Sequence, residues 1–185
     1  PVVLQLAWVD YVIVSVTLGA SQLGLYLIAF NLSSWPVALL SGPVRRVALA
    51  GFARLVASEE VLVRTFERTL VMLIAITLPA CALLAILATP LIRWLYTLKF
   101  APAAVALPGL MALAIARMLT DFGYDFMVAK GRVRLTLGLQ ATWLALLIPT
   151  LTIGAHLDRI RGVGICHAIL AIGVMTPLYV AMLGR

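Results

Sequence analysis

Residues 69–88 read Thr-Leu-Val-Met-Leu-Ile-Ala-Ile-Thr-Leu-Pro-Ala-Cys-Ala-Leu-Leu-Ala-Ile-Leu-Ala, without one charged side chain. As a helix, a run of this length spans about 30 Å, the thickness of the hydrocarbon core of a bilayer. It has no polar face, so water on any side would be unfavourable. The stretch therefore reads as a membrane helix. The rest of the chain has the same character. Of its 185 residues, 64% are hydrophobic and 11% charged, and the mean hydropathy is +1.12. Soluble domains run at about 45–50% apolar and about 25% charged, and a small fold leaves much of its area wet. A soluble enzyme, a nucleic-acid-binding domain and a disordered tail are excluded. An all-α integral membrane protein remains.

Working outward, charge-poor runs of spanning length place six helices near residues 1–18, 23–44, 66–89, 101–120, 135–154 and 162–183. Together they form a single membrane domain over 1–185. Asp10 interrupts the first run. Ser33-Ser34-Trp35-Pro36 and Gly42-Pro43 interrupt the second. The charged stretch 45–68 follows, in which Ser58-Glu59-Glu60 reads as a helix start, a capping serine ahead of acids in the first turn. Leu91-Ile92-Arg93-Trp94-Leu95-Tyr96 is too short to span and carries interfacial aromatics. Pro1 already lies in an apolar run, with no basic region before it. The expectation is a fragment that begins inside a membrane helix and not a signal peptide.

The formal charge is +7, from fourteen lysines and arginines against seven acids. Arg45, Arg46, Arg54, Arg64, Arg68, Arg117, Lys130, Arg132, Arg134 and Arg185 fall on one side of the six-helix arrangement. Arg93, Lys99, Arg159 and Arg161 fall on the other. Basic residues concentrate in cytoplasmic loops, so the first group faces the cytoplasm and the first helix runs outward. The charge is a topology signal, and no nucleic acid partner is implied.

Asp10 is the one acid well inside an apolar run. A carboxylate there costs roughly 2.5–3.5 kcal/mol on insertion scales, so it calls for a wet cavity, a cation or a proton. It is a candidate coupling-ion, proton or substrate site, or else a structural acid paired with an arginine or capped by hydroxyls. Arg117 closes the short fourth run, as a snorkelling anchor or as a guanidinium suited to a diphosphate. Arg46, with Arg45, ends the second run as an anchor or a contact for an anionic head group. Asp121 and Asp125 share a helix face at i, i+4 and read as a solvated surface near Lys130 and Arg132. His167, alone in its helix, reads as hydrogen-bonded packing. Cys81 and Cys166 read as small apolar packing groups. Prolines at 36, 79, 108, 149 and 177 read as tolerated kinks or, since nearly every run has one, as bends of the kind transporters use. No catalytic, cofactor-binding or metal-binding pattern is present.

Several pieces resemble a known family. They are Asp10-Tyr11-Val12-Ile13-Val14-Ser15-Val16-Thr17-Leu18-Gly19-Ala20, then Leu23-Gly24-Leu25-Tyr26 with Pro36. Later come Pro43-Val44-Arg45-Arg46-Val47 with Phe52-Ala53-Arg54-Leu55, Pro79, Leu95-Tyr96 with Ala101-Pro102-Ala103, Gly131-Arg132 and Gly162-Val163-Gly164-Ile165. This pattern resembles the polysaccharide-transporter branch of the multidrug/oligosaccharidyl-lipid/polysaccharide exporter superfamily. Thr97 stands where that pattern often has glycine. The resemblance implies the C-terminal lobe of a two-lobed, MATE-like transporter whose N-terminal lobe is missing here. It further implies a flippase of the bacterial inner membrane, acting by alternating access, with no enzymatic activity and no cofactor. Its partners would be a polyprenyl-diphosphate-linked oligosaccharide for cell-surface polysaccharide synthesis, membrane lipids and its own N-terminal lobe. The rivals are a cation-coupled multidrug antiporter of the same superfamily and a non-transporting scaffold subunit of cell-wall assembly.

Overall fold

The computed structural model describes residues 2–55 and 59–183; the side chains of 2–7, 41, 46, 49, 50, 53–55, 59, 133 and 183 lie outside that description. All regular structure among the described residues is helical. The order is α1 (Val2–Leu18), α2 (Ala20–Pro36), α3 (Gly42–Leu55), α4 (Glu59–Ile86), α5 (Ala88–Leu95), α6 (Leu107–Ala129), α7 (Val133–Leu170) and α8 (Thr176–Leu183). By length and composition, three stretches can each cross a membrane: Ala20–Leu40, Glu60–Ile86 and Arg134–Met182. The 3-10 stretch Leu98–Val105 meets α6 at 55°, and the pair together makes a fourth. The described apolar part of α1, Trp8–Leu18, is shorter.

Local chemistry explains the joints. Gly19 ends α1 with φ +84°, a conformation that a side chain disfavours, and α2 starts at once. Pro36 cannot donate a backbone hydrogen bond, and the chain loosens into a π-helical turn over Val37–Ser41 before α3. A second π turn, Ala171–Met175, lies just ahead of Pro177. The second apolar run thus passes through its proline and Gly42-Pro43 as one bent helical path. Pro108 differs from the other prolines. It occupies the first turn of α6, where the missing N–H costs nothing. Gly131, at φ +73°, closes α6: its N–H bonds to the Val128 carbonyl and that of Arg132 to Met127, a Schellman arrangement. Ser58 lies outside the described residues; α4 begins at Glu59.

The 38 residues of α7 are not one rod. Asp158 (φ −150°, ψ 44°) and Arg159 (φ 46°, ψ −135°) break it. A Cβ built on Gly154 would sit 2.7 Å from the carbonyl oxygen of Gly162 and 3.0 Å from the Cβ of Cys166. In a straight helix, residues eight and twelve apart would be about 12 and 18 Å apart. The chain therefore folds back on itself at 158–159, and two arms, 133–157 and 160–170, lie backbone against backbone. Gly109 of α6 makes the same kind of contact, with a built Cβ 2.7 Å from the carbonyl carbon of Gly164. Small residues let three helices approach this closely.

α6 is the hub. Its buried residues, from Leu107 and Leu110 through Met118 to Phe126 and Met127, lie all around it, and it packs on α2, α3, α4, α7 and α8. Phe52, Phe66, Phe122 and Phe126 form an aromatic cluster that ties α3 and α4 to its C-terminal half, with the Phe66 and Phe122 rings stacked at 4.9 Å. α4 is the opposite kind of helix. Val71, Ile76, Leu83 and Ile86 are exposed along it, an apolar surface that lipid would cover. α5 buries Ala88 and Ile92 and exposes Arg93 and Trp94, as an interfacial helix does.

Candidate functional site

A cavity of about 60 Å³ lies between α1, α2, α6, α7 and α8. Asp10, Phe30, Arg117, Asp121, His167 and Tyr179 are among its lining residues. A water needs roughly 10–15 Å³ of such space, so this cavity holds a few waters and no sugar ring. Asp10 is 2% exposed and His167 3%. The Oδ2 of Asp10 faces the Nδ1 of His167 at 3.6 Å, outside hydrogen-bond range. Among the described residues, Asp10 Oδ1, His167 Nδ1 and the hydroxyl of fully buried Tyr26 have no hydrogen-bond partner. Trp143 flanks the imidazole, with ring centroids 5.4 Å apart.

Arg117 lines the same cavity and lies in the field of Asp10. Its guanidinium carbon is 5.4 Å from the centre of the Phe30 ring, a cation–π contact. Among the described residues it has no ion-pair partner. Arg117 and Asp121 also line a second cavity of about 160 Å³, bounded by Ser33, Ser34 and Val37 where the α2 helix loosens. Arg117 thus stands between two spaces, with one free cationic group available to both. The sequence reading left open a snorkelling anchor, and the structure turns this side chain inward.

A second polar cluster lies beside it. The Nε of Arg45 donates to Asp125 Oδ2 at 2.7 Å, and its NH1 to Asp121 Oδ2 at 3.0 Å; NH2 reaches the Asp121 carbonyl at 3.3 Å. Burial works against the charge on Arg45, but the hydrogen bond to Asp125 and the fields of both aspartates outweigh it, and its pKa is held above the ordinary value. This corrects the expectation for the two acids. They are not a solvated face near Lys130 and Arg132, since their side chains are only 22% and 15% exposed. They bind α6 to α3 through one arginine. His167 is likewise not hydrogen-bonded packing; it faces a carboxylate. The i, i+4 spacing of the aspartates was the available signal for the first cluster. Nothing in the sequence brought positions 10 and 167 together.

Of the sequence-derived site residues, Asp10 and Arg117 meet at one cavity. The side chain of Arg46 lies outside the described residues. Among the described residues, no group of three or more histidine, cysteine or acidic side chains could hold a metal ion.

An all-helical bundle with long apolar spans, an exposed apolar flank and buried charged groups around an internal cavity defines an integral membrane protein. Within that class, the chain belongs to the polysaccharide biosynthesis protein family, whose model matches residues 5–106, from α1 to the joint before α6. No curated protein and no solved structure matches the chain.

Proposed function

We propose that the chain crosses the membrane six times as one lobe of a two-lobed flippase. The reversal at Asp158–Arg159 divides the longest apolar stretch into two antiparallel crossings. With α1, the bent path through α2, α4 and the pair ending in α6, these make six. The whole protein moves a polyprenyl-diphosphate-linked oligosaccharide across the bacterial inner membrane by alternating access, for cell-surface polysaccharide synthesis. It catalyses no covalent chemistry. Its arginine-rich ends, Arg45 among them, lie in the cytoplasm.

Membership of the polysaccharide biosynthesis family carries this reading. A half-buried, cavity-lining guanidinium without an anionic partner among the described residues supports it chemically, since a planar fork donates two parallel hydrogen bonds to a phosphate. The two cavities that Arg117 lines, about 60 and 160 Å³, are far below the roughly 300–1,000 Å³ of ordinary ligand pockets. The head group therefore binds between this lobe and the N-terminal one, and Arg117 reaches it from this side. The lipid tail stays in the bilayer.

The test is a head-group flipping assay with the full-length protein in vesicles. Arg117→Ala should reduce flipping about tenfold or more, the loss of one charge-assisted contact. Arg117→Lys should retain an intermediate rate. Full flipping in both variants would reject Arg117 as a substrate group.

A further inference from the structure

Among the described residues, three buried polar atoms on three helices have no hydrogen-bond partner: Oδ1 of Asp10 on α1, the hydroxyl of Tyr26 on α2 and Nδ1 of His167 on α7. Unsatisfied buried groups of this kind cost about 1–3 kcal/mol each, and a bare carboxylate costs more. A bound water, an ion or a proton-handling role accounts for such groups in native structures. The ligand must be small, because the cavity admits only a few waters. It must also suit one carboxylate and one imidazole nitrogen 3.6 Å apart, with a guanidinium lining the same space. A metal ion would meet the repulsion of Arg117 and find too few oxygen ligands. A proton meets neither obstacle.

We propose that Asp10 and His167 together hold one exchangeable proton. With the proton bound, the pair is neutral overall, whether the proton sits on the carboxyl oxygen or on Nδ1. When the proton leaves, Asp10 carries a full negative charge, and Arg117 is the cation without an ion-pair partner among the described residues that line the same cavity. The other groups facing the pair do not supply a counter-charge. Asp121 is held by Arg45, and Tyr11, Tyr26 and Tyr179 are phenols, which carry no charge near neutral pH. Proton binding therefore frees Arg117 for an anion, and proton release returns it to Asp10. That exchange would couple a proton to the movement of a phosphate-bearing substrate. This last step rests on the flippase reading; the proton site does not.

Residues 1–185 hold two histidines, which makes the site readable. The full-length protein is reconstituted in lipid nanodiscs and titrated with pH by infrared difference spectroscopy. Histidine is labelled with nitrogen-15 in residues 1–185 alone, by ligating this labelled segment to the rest of the protein, in a His156→Gln background, where His167 is the one labelled imidazole. We expect one carboxylic acid band and a His167 signal that move with a common midpoint. Asp10→Asn should abolish the band, and Asp10→Glu should shift it. His167→Gln should lower the proton affinity at least about tenfold. Arg117→Gln should raise it, because a nearby cation opposes protonation. Separate midpoints, a band that survives in Asp10→Asn, or a midpoint indifferent to His167 or to Arg117 would overturn the proposal. So would sodium chloride at fixed pH reproducing the spectral change, which would make this a metal site. The midpoint comparison uses unaltered Asp10 and His167, so it stands even if the variants fail to fold. No transport is measured, so its failure leaves the flippase reading intact, and failed flipping leaves the proton site intact.

Discussion

Asp121 and Asp125 are bound by Arg45 at 3.0 and 2.7 Å, whereas Asp10 faces an imidazole at 3.6 Å and makes no hydrogen bond through Oδ1. Both clusters hold carboxylates in an apolar bundle. In the first, one guanidinium uses its fork to satisfy two acids and lock α3 to α6. In the second, helices α1, α2 and α7 bring polar groups close and leave them unsatisfied. A saturated cluster resists change, because removing any member strands the others. An unsaturated one is poised for a ligand. The contrast separates a structural charge from a working one more clearly than burial does.

Gly162→Ala should disturb the contrast most. The built Cβ meets the Gly154 carbonyl, which is backbone and cannot swing away. Overpacking of this kind costs about 1–3 kcal/mol or more, and it would push the arm that carries His167 off α1. Thermal unfolding in detergent should show a clear fall, with the His167 signal altered in the folded fraction. A variant as stable as the parent would mean that the two arms of α7 are not in close contact.

Arg45→Met comes next. All three side chains of that cluster are less than one-third exposed. Stranding two aspartates should cost about 3 kcal/mol, at the lower end for broken buried pairs. Adding Asp121→Asn and Asp125→Leu should restore most of it. Comparing the triple variant with the single ones checks this, since an additive loss would show that the three residues do not act as a unit.

Asp10→Asn should have the smallest effect on stability and the opposite sign. It removes a poorly compensated buried charge while keeping the shape, so unfolding temperature should hold or rise slightly. Flipping by the full-length protein should nevertheless fall. A loss of stability as large as that of Arg45→Met would make the two clusters alike and remove the distinction between them.

Much of the architecture was legible along the chain. The uncharged run at 69–88 lies wholly within α4 apart from its last two residues, because a spanning helix is a local, compositional property. The short aromatic segment after it forms α5, since one turn-by-turn pattern of Ile92 against Arg93 and Trp94 suffices. The charged turn at 156–161 contains the reversal, where polar side chains and a nearby glycine tolerate non-helical backbone. The family pattern was readable too, and the match over residues 5–106 agrees with it.

Pairing was not legible. Asp10 could be marked as costly from its surroundings in sequence, since desolvation depends on apolar neighbours that are mostly local. That His167 would face it depends on a fold-back at Asp158 and a three-helix glycine contact, neither of which has a sequence period. The same holds for Arg45, whose aspartate partners lie 76 and 80 residues away. The sequence alone determined that the chain is helical, apolar and suited to a bilayer, because those follow from transfer free energies summed along short stretches. Only the tertiary structure decided which buried charges are neutralised and which are left open, because electrostatic energy depends on distances between helices that the order of residues does not contain.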